Sequence, residues 1–99
     1  MTVSSEFDAR IEMKAFIDRA RAPYAQWYVG VAAGPEERLF SEHGVKDNDW
    51  WVHRQLASAE SARRVEKFLL DLGCDGAANG GSEASTAVYA YWKREHTTP

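Results

Sequence analysis

The residue types best suited to chemistry lie in one stretch, WYVGVAAGPEERLFSEH, which runs from Trp27 to His43. It contains a tyrosine in an apolar run, then an arginine and a histidine after a Gly-Pro turn: Tyr28, Arg38 and His43. A guanidinium can stabilise negative charge that develops on a phosphate, so the stretch is a candidate phosphate-handling site. The alternative is a strand, a turn and a helix that have no chemical role.

The elements that must position these side chains follow from the hydrophobic pattern. Gln26 to Ala32 reads as a strand, with Trp27, Val29 and Val31 on one face and Tyr28, Gly30 and Ala32 on the other. Gly34-Pro35 predicts the start of a short helix, and Gly44 predicts its end. The remaining pattern predicts a helix from the Ser5 cap to about Arg21, a strand from Trp50 to Ala57, a helix from the Ser58 cap to Gly73, and a strand from Thr86 to Trp92.

The order helix, strand, helix, strand, helix, strand predicts an α/β fold of the α+β type. We expect one domain over residues 1–99, with a small three-stranded, mostly antiparallel sheet and helices packed on it. Cys74 to Ser85 is predicted to be a flexible glycine-rich loop. It is not a P-loop, because it lacks the Gly-Lys-Ser/Thr ending and a strand follows it. The polar tail after Trp92 is expected to fray.

Composition and charge restrict the partners. The net charge is −3 and the basic residues are scattered, which argues against a strong, sequence-independent DNA binder. The single cysteine, Cys74, excludes an internal disulfide and favours a reducing, cytoplasmic location. No apolar run approaches the roughly 20 residues that span a bilayer, so no membrane partner is expected.

The ordered motifs of this chain resemble those of the GIY-YIG nuclease family. The matching residues are Tyr28-Val29-Gly30, the turn Gly34-Pro35-Glu36, Arg38-Leu39 followed by Glu42-His43, and Glu66 in the later predicted helix. Each motif is short, and their order carries the resemblance. It runs from about Trp27 to Leu72, within a core of about residues 27–92.

The resemblance implies a metal-dependent endonuclease that hydrolyses phosphodiester bonds in a nucleic acid. It implies that Tyr28 helps to activate the attacking water, Arg38 steadies the phosphate and Glu66 holds Mg²⁺ or Mn²⁺. His43 and Tyr89 are further catalytic candidates. These residue types suit the reaction, because a guanidinium and a metal stabilise charge on a phosphate. Mg²⁺ often takes only one or two protein carboxylates, so a single glutamate can suffice.

The chain departs from the family pattern at the first motif, the strand that carries Gly-Ile-Tyr. Upstream of Trp27 there is a predicted helix and then Ala22-Pro23-Tyr24-Ala25, with no such strand. The nearest equivalent is Ala87-Val88-Tyr89 in the last predicted strand, which we expect to pair with the strand 26–32, as in a circular permutation. In addition, His43 lies one residue later than the family's usual histidine, where Glu42 falls.

Each candidate residue also has a purely structural explanation. These are packing of the Tyr28 ring on the sheet, an ion pair of Arg38 with Glu42 one turn later, termination of the helix by His43, and a surface pair of Glu66 with Arg63. The alternative function is therefore a catalytically inactive α/β module. Such a module would bind a protein partner, a second copy or a nucleic acid through an aromatic surface.

Overall fold

The computed structural model describes residues 3–76 and 82–99 as helices packed on one mixed sheet, and the predicted fold class is confirmed. Within these residues the helices are α1 (Glu6–Arg19), α2 (Pro35–Glu37) and α3 (Ala59–Asp71). The strands are β1 (Trp27–Ala32), β2 (Trp51–Gln55), β3 (Asp75–Gly76) and β4 (Ala87–Trp92). A π-helical turn, Arg38–Glu42, continues α2, and a 3₁₀ turn, Tyr24–Gln26, leads into β1.

The helix ends follow the capping residues seen in the sequence. The Ser5 hydroxyl accepts a hydrogen bond from the Asp8 N–H at 3.0 Å, which satisfies one of the free donors at the start of α1. Ser58 does the same for α3 by accepting from the Ser61 N–H at 3.1 Å. Gly73 follows α3 with a φ of +118°, a conformation that favours glycine. The predicted bounds of both long helices are confirmed to within a residue or two.

The last strand of the chain lies in the interior of the sheet. The strand order is β2-β4-β1-β3, and β4 runs antiparallel to both β2 and β1. Tyr89 is the partner of Gly30 on one side and of His53 on the other. The predicted pairing of the last strand with β1 is therefore confirmed.

The sheet has four strands among the described residues, and the expectation of three was wrong. The additional strand, β3, lies in the predicted glycine-rich loop and runs parallel to β1, with Tyr28 opposite Asp75. Gly76 permits this pairing, because a Cβ there would lie 2.5 Å from the Val29 carbonyl oxygen and 2.9 Å from Leu70 Cδ2. Residues 77–81 of the predicted loop lie outside the described residues.

The sheet has two faces of different chemistry. The helix face packs against α1 and α3 and carries apolar side chains: Trp27, Val29, Val31, Val52, Val88 and Ala90. The tyrosine face carries the alternate residues of the same strands: Tyr28, Gly30, Trp51, His53, Tyr89 and Tyr91. The π turn and the segment after it cover part of this second face through Leu39 and Val45. The division of β1 into two faces matches the predicted alternation.

The C-terminal tail is packed, and the prediction that it frays was wrong. The Thr98 N–H donates to the His43 carbonyl oxygen at 2.7 Å. The tail also passes so close to Gly44 that a Cβ there would lie 2.9 Å from the His96 carbonyl oxygen. Backbone groups make these contacts, so polar side chains in the tail gave no sign of them. Within the described residues, no helix combines the length and the apolar character needed to cross a membrane.

Candidate active site on the tyrosine face

His43 lies at the centre of the tyrosine face, and only 6% of its surface is exposed. Its Nε2 is 2.8 Å from the Tyr89 hydroxyl oxygen, and its Nδ1 is 2.7 Å from the Thr98 carbonyl oxygen. Its ring centroid lies 5.1 Å from that of Tyr28 and 5.0 Å from that of Tyr91. The structure therefore brings together three of the predicted site residues, Tyr28, His43 and Tyr89.

The ring of Tyr89 fits on this face because its neighbour on β1 is a glycine. A Cβ at Gly30 would lie 2.5 Å from the Tyr89 hydroxyl oxygen and 2.6 Å from its Cζ. No side chain other than hydrogen can occupy that position while the tyrosine keeps its place. Gly30 thus opens the path along which the Tyr89 hydroxyl reaches His43.

The π turn positions His43. In this turn the His43 N–H donates to the Arg38 carbonyl oxygen at 2.9 Å, which is a five-residue step in place of the four of an α-helix. A π turn therefore holds one residue more than an α turn. Glu42 lies exposed and His43 lies buried as a result. The extra residue thus puts His43 rather than Glu42 on the buried side of the turn.

Arg38 lies at the rim of the tyrosine face, beside an open pocket of about 260 Å³. Its Nη1 is 3.5 Å from Glu42 Oε1, so the ion pair considered from the sequence is present. Both side chains are substantially exposed, and such pairs contribute little, about 0.3–0.5 kcal/mol within one helical turn. The pocket also contains Glu37, so its charged side chains are one arginine and two glutamates.

Burial determines the protonation of the central tyrosines. It raises the pKa of Tyr89 to about 12, while the nearby charge of Arg38 acts in the opposite direction. Burial likewise raises the pKa of Tyr91 well above its ordinary value. Both phenols are therefore protonated at neutral pH, and each can donate one hydrogen bond.

Glu66 lies on α3, which packs on the helix face, and only 3% of its surface is exposed. The explanation of Glu66 as a surface residue paired with Arg63 was therefore wrong. Burial raises the pKa of Glu66 to about 7, with the charge of Arg63 opposing the shift. The glutamate lines its own pocket of about 410 Å³ on α3, whereas Arg38 lines a different one. In the described part of the chain, no hydrogen bond or ion pair joins Glu66 to Tyr28, Arg38 or His43.

The described side chains can be tested as ligands for a divalent metal ion. Among residues 3–76 and 82–99, no three His, Cys, Asp or Glu side chains come together as a metal-binding group. A magnesium ion that keeps most of its waters needs only one or two carboxylates. Glu66 Oε2 is buried and has no hydrogen-bond partner among the described residues. Glu66 could bind a cation in its own pocket, but it does not fit as the metal ligand of a phosphate site on the tyrosine face, because Arg38 lines a different pocket.

Two further contributors to this face were not identified from the sequence. The first is Tyr91, whose hydroxyl oxygen lies 3.2 Å from His43 Nδ1. Alternation along Tyr89-Ala90-Tyr91 puts both tyrosines on one face of the strand, so the sequence could have identified Tyr91. The Thr98 carbonyl oxygen had no such signal, because every residue carries a carbonyl.

Comparison of the chain with protein-family models, with curated proteins and with solved structures found no match. The resemblance to the GIY-YIG nucleases therefore stays a prediction that rests on the motifs and on their order.

Proposed function

We propose that this protein is a divergent GIY-YIG-type nuclease that hydrolyses phosphodiester bonds with Mg²⁺ or Mn²⁺. The observation that carries the proposal is the convergence of Tyr28, His43 and Tyr89 on one sheet face. The interior position of β4 supports it, because β4 supplies the tyrosine that the missing first motif would otherwise provide.

In this proposal the tyrosine face handles the attacking water. Tyr28 is half-buried, so its ring is held against His43 while one side stays open to solvent. Its hydroxyl would orient the water, and Tyr89 with His43 would form the hydrogen-bonded support behind it. A positioned acid–base group of this kind contributes about 10²–10⁴-fold to a rate.

Arg38 would bind the phosphate at the rim. Its partner Glu42 is 3.5 Å away on an exposed side chain, so a substrate phosphate can replace that carboxylate at a cost below about 1 kcal/mol. Glu66 lines a separate pocket on the helix side of the sheet, so a divalent ion held there would not contact a phosphate that Arg38 binds.

One observation favours the alternative function, an inactive module that binds a protein partner or a second copy. Phe7 is 69% exposed, and Ile11, one turn later on α1, is also exposed, with Val3 just before the helix. Exposed apolar side chains that lie together can mark an interaction surface. This alternative predicts concentration-dependent association that Phe7→Ser abolishes, as measured by light scattering, together with an absence of cleavage.

The test of the nuclease proposal is cleavage of single- and double-stranded nucleic acid with Mg²⁺ or Mn²⁺, and with EDTA as the metal-free control. Tyr28→Phe is expected to lose at least about a hundredfold in rate. Glu66→Gln is expected to keep the wild-type rate, because Glu66 lines a different pocket from Arg38. Two matched controls remove the same groups elsewhere: Tyr24→Phe at a tyrosine that binds Asp18, and Glu60→Gln on the exposed side of α3. Metal-independent cleavage, or equal loss in the controls, would contradict the proposal.

A further inference from the structure

The C-terminal tail binds both the backbone and the side chain of His43. The Thr98 N–H donates to the His43 carbonyl oxygen at 2.7 Å, and the Thr98 carbonyl oxygen lies 2.7 Å from His43 Nδ1. A turn in which the Thr97 hydroxyl donates to the Arg94 carbonyl oxygen at 2.8 Å fixes the path of the tail just before this point. Two hydrogen bonds from one tail residue therefore hold the central histidine.

These contacts decide which nitrogen of the neutral His43 ring carries the proton. A carbonyl oxygen can only accept, so the proton between Nδ1 and Thr98 must belong to Nδ1. Nε2 is then an acceptor, and the hydroxyl 2.8 Å away must donate to it, which directs the Tyr89 proton towards the imidazole. The Tyr91 hydroxyl, 3.3 Å from the same carbonyl oxygen, donates to it as well.

We propose that the Thr98 carbonyl is a positioning group of the active site, which holds His43 as the Nδ1–H tautomer so that the Tyr89 hydroxyl donates to Nε2. The Tyr89 oxygen then has only acceptor capacity left for a neighbouring donor. The role of this acceptor in hydrolysis rests on the proposed function. The tautomer itself does not.

Burial strengthens the assignment. His43 and Tyr89 are both buried, with 6% and 2% of their surfaces exposed, so neither can exchange its partner for bulk water without moving. A buried donor or acceptor left without a partner costs about 1–3 kcal/mol. In the reverse tautomer Nδ1 could accept from the Tyr91 hydroxyl, 3.2 Å away, but Nδ1 and the Thr98 carbonyl oxygen would still be two acceptors held 2.7 Å apart.

The test uses the whole protein, labelled with ¹⁵N, and long-range ¹H–¹⁵N correlation spectra of the His43 ring at a pH where the imidazole is neutral. The proposal expects a protonated Nδ1 and an unprotonated Nε2. It also expects the same spectrum for Thr98→Ala, since that variant keeps both backbone groups. A chain that ends at Thr97 should lose the preference for Nδ1–H, and its cleavage rate should fall at least tenfold.

The wild-type spectrum decides the question even where the shortened chain fails to fold. A protonated Nε2 in the wild type would overturn the proposal, as would an unchanged tautomer in a folded chain that ends at Thr97. Loss of the tautomer on shortening, with no cleavage by any variant, would support the positioning role and reject the nuclease. If the wild type and the chain that ends at Thr97 cleave at the same rate, the positioning role is rejected and the nuclease proposal is not.

Discussion

The two faces of the sheet are built from the same strands and differ in almost every other respect. The helix face buries apolar side chains against α1 and α3, and its contacts are hydrophobic. The tyrosine face buries phenols and an imidazole that bond to one another and to the tail. Because side chains alternate between the faces, neighbouring residues such as Val29 and Gly30 serve different purposes. A substitution on the helix face can therefore alter stability while the tyrosine face keeps its contacts.

The largest expected effect is on the helix face. Leu69 is fully buried there, and Leu69→Ala should lower the free energy of unfolding by about 2–5 kcal/mol through lost burial and a residual cavity. Urea denaturation measures the change. Lys67→Ala, at an exposed position two residues earlier, is the control and should change stability by less than about 0.5 kcal/mol. Any folded Leu69→Ala protein should keep the His43 ring spectrum, and an altered spectrum would show that the faces are not independent.

Glu66 is the exception to the apolar character of the helix side, and it predicts a pH dependence. Its pKa is raised from 4.5 in the unfolded chain to about 7 in the fold, so the unfolded state releases the proton first. Stability should therefore fall as the pH rises from about 4.5 to about 7, and the loss should persist above that. The loss is at most about 3 kcal/mol.

The measurement for this pH dependence is the unfolding free energy at several pH values without divalent ions. Glu66→Gln should abolish this part of the fall, because glutamine does not ionise. Glu60→Gln, at an exposed position on the same helix, should leave it in place. A wild-type stability that rises across this interval relative to Glu66→Gln would show that the buried carboxyl has a partner.

Gly30→Ala tests whether the position of Tyr89 on the tyrosine face requires a residue without a Cβ at position 30. The new Cβ would lie 2.5 Å from the Tyr89 hydroxyl oxygen, so the ring must move and its bond to His43 must break. We expect a stability loss of about 1–3 kcal/mol and a changed His43 ring spectrum. Gly34→Ala is the matched control, because its Cβ would meet nothing nearer than Glu37 Cβ at 3.9 Å. Equal effects of the two substitutions would contradict this description of Tyr89.

The smallest expected effect is at the rim. Glu42→Gln removes the partner of Arg38, and it should change the unfolding free energy by less than about 0.5 kcal/mol. It should also strengthen binding of a short oligonucleotide, since the guanidinium no longer has to leave a carboxylate. Fluorescence anisotropy at two salt concentrations measures that binding. Weaker binding by Glu42→Gln would place the phosphate away from Arg38.

The sequence predicted much of the fold because its signals are local. Capping serines and apolar periods located α1 and α3, and alternation assigned the two faces of β1. The pairing of β4 with β1 was expected from the family resemblance, because no local pattern reveals a distant partner.

The features that the sequence did not predict depend on main-chain hydrogen bonds or on the close approach of two chain segments. β3 has only two residues, and Gly76 reads as a loop residue until the neighbouring Val29 carbonyl is known. The π turn differs from an α turn by one backbone hydrogen bond. Likewise, the contact of Thr98 with His43 uses main-chain atoms that every residue shares.

The most direct test of the central claim compares Tyr28→Phe with Tyr24→Phe. The unfolding free energy and the metal-dependent cleavage rate are measured for each variant. Of these two tyrosines, Tyr28 lies on the tyrosine face against His43, whereas the Tyr24 hydroxyl donates to Asp18. We predict that Tyr28→Phe stays folded and loses at least about a hundredfold in cleavage rate, and that Tyr24→Phe cleaves like the wild type. Full cleavage by a folded Tyr28→Phe protein would contradict the assignment of chemistry to the tyrosine face.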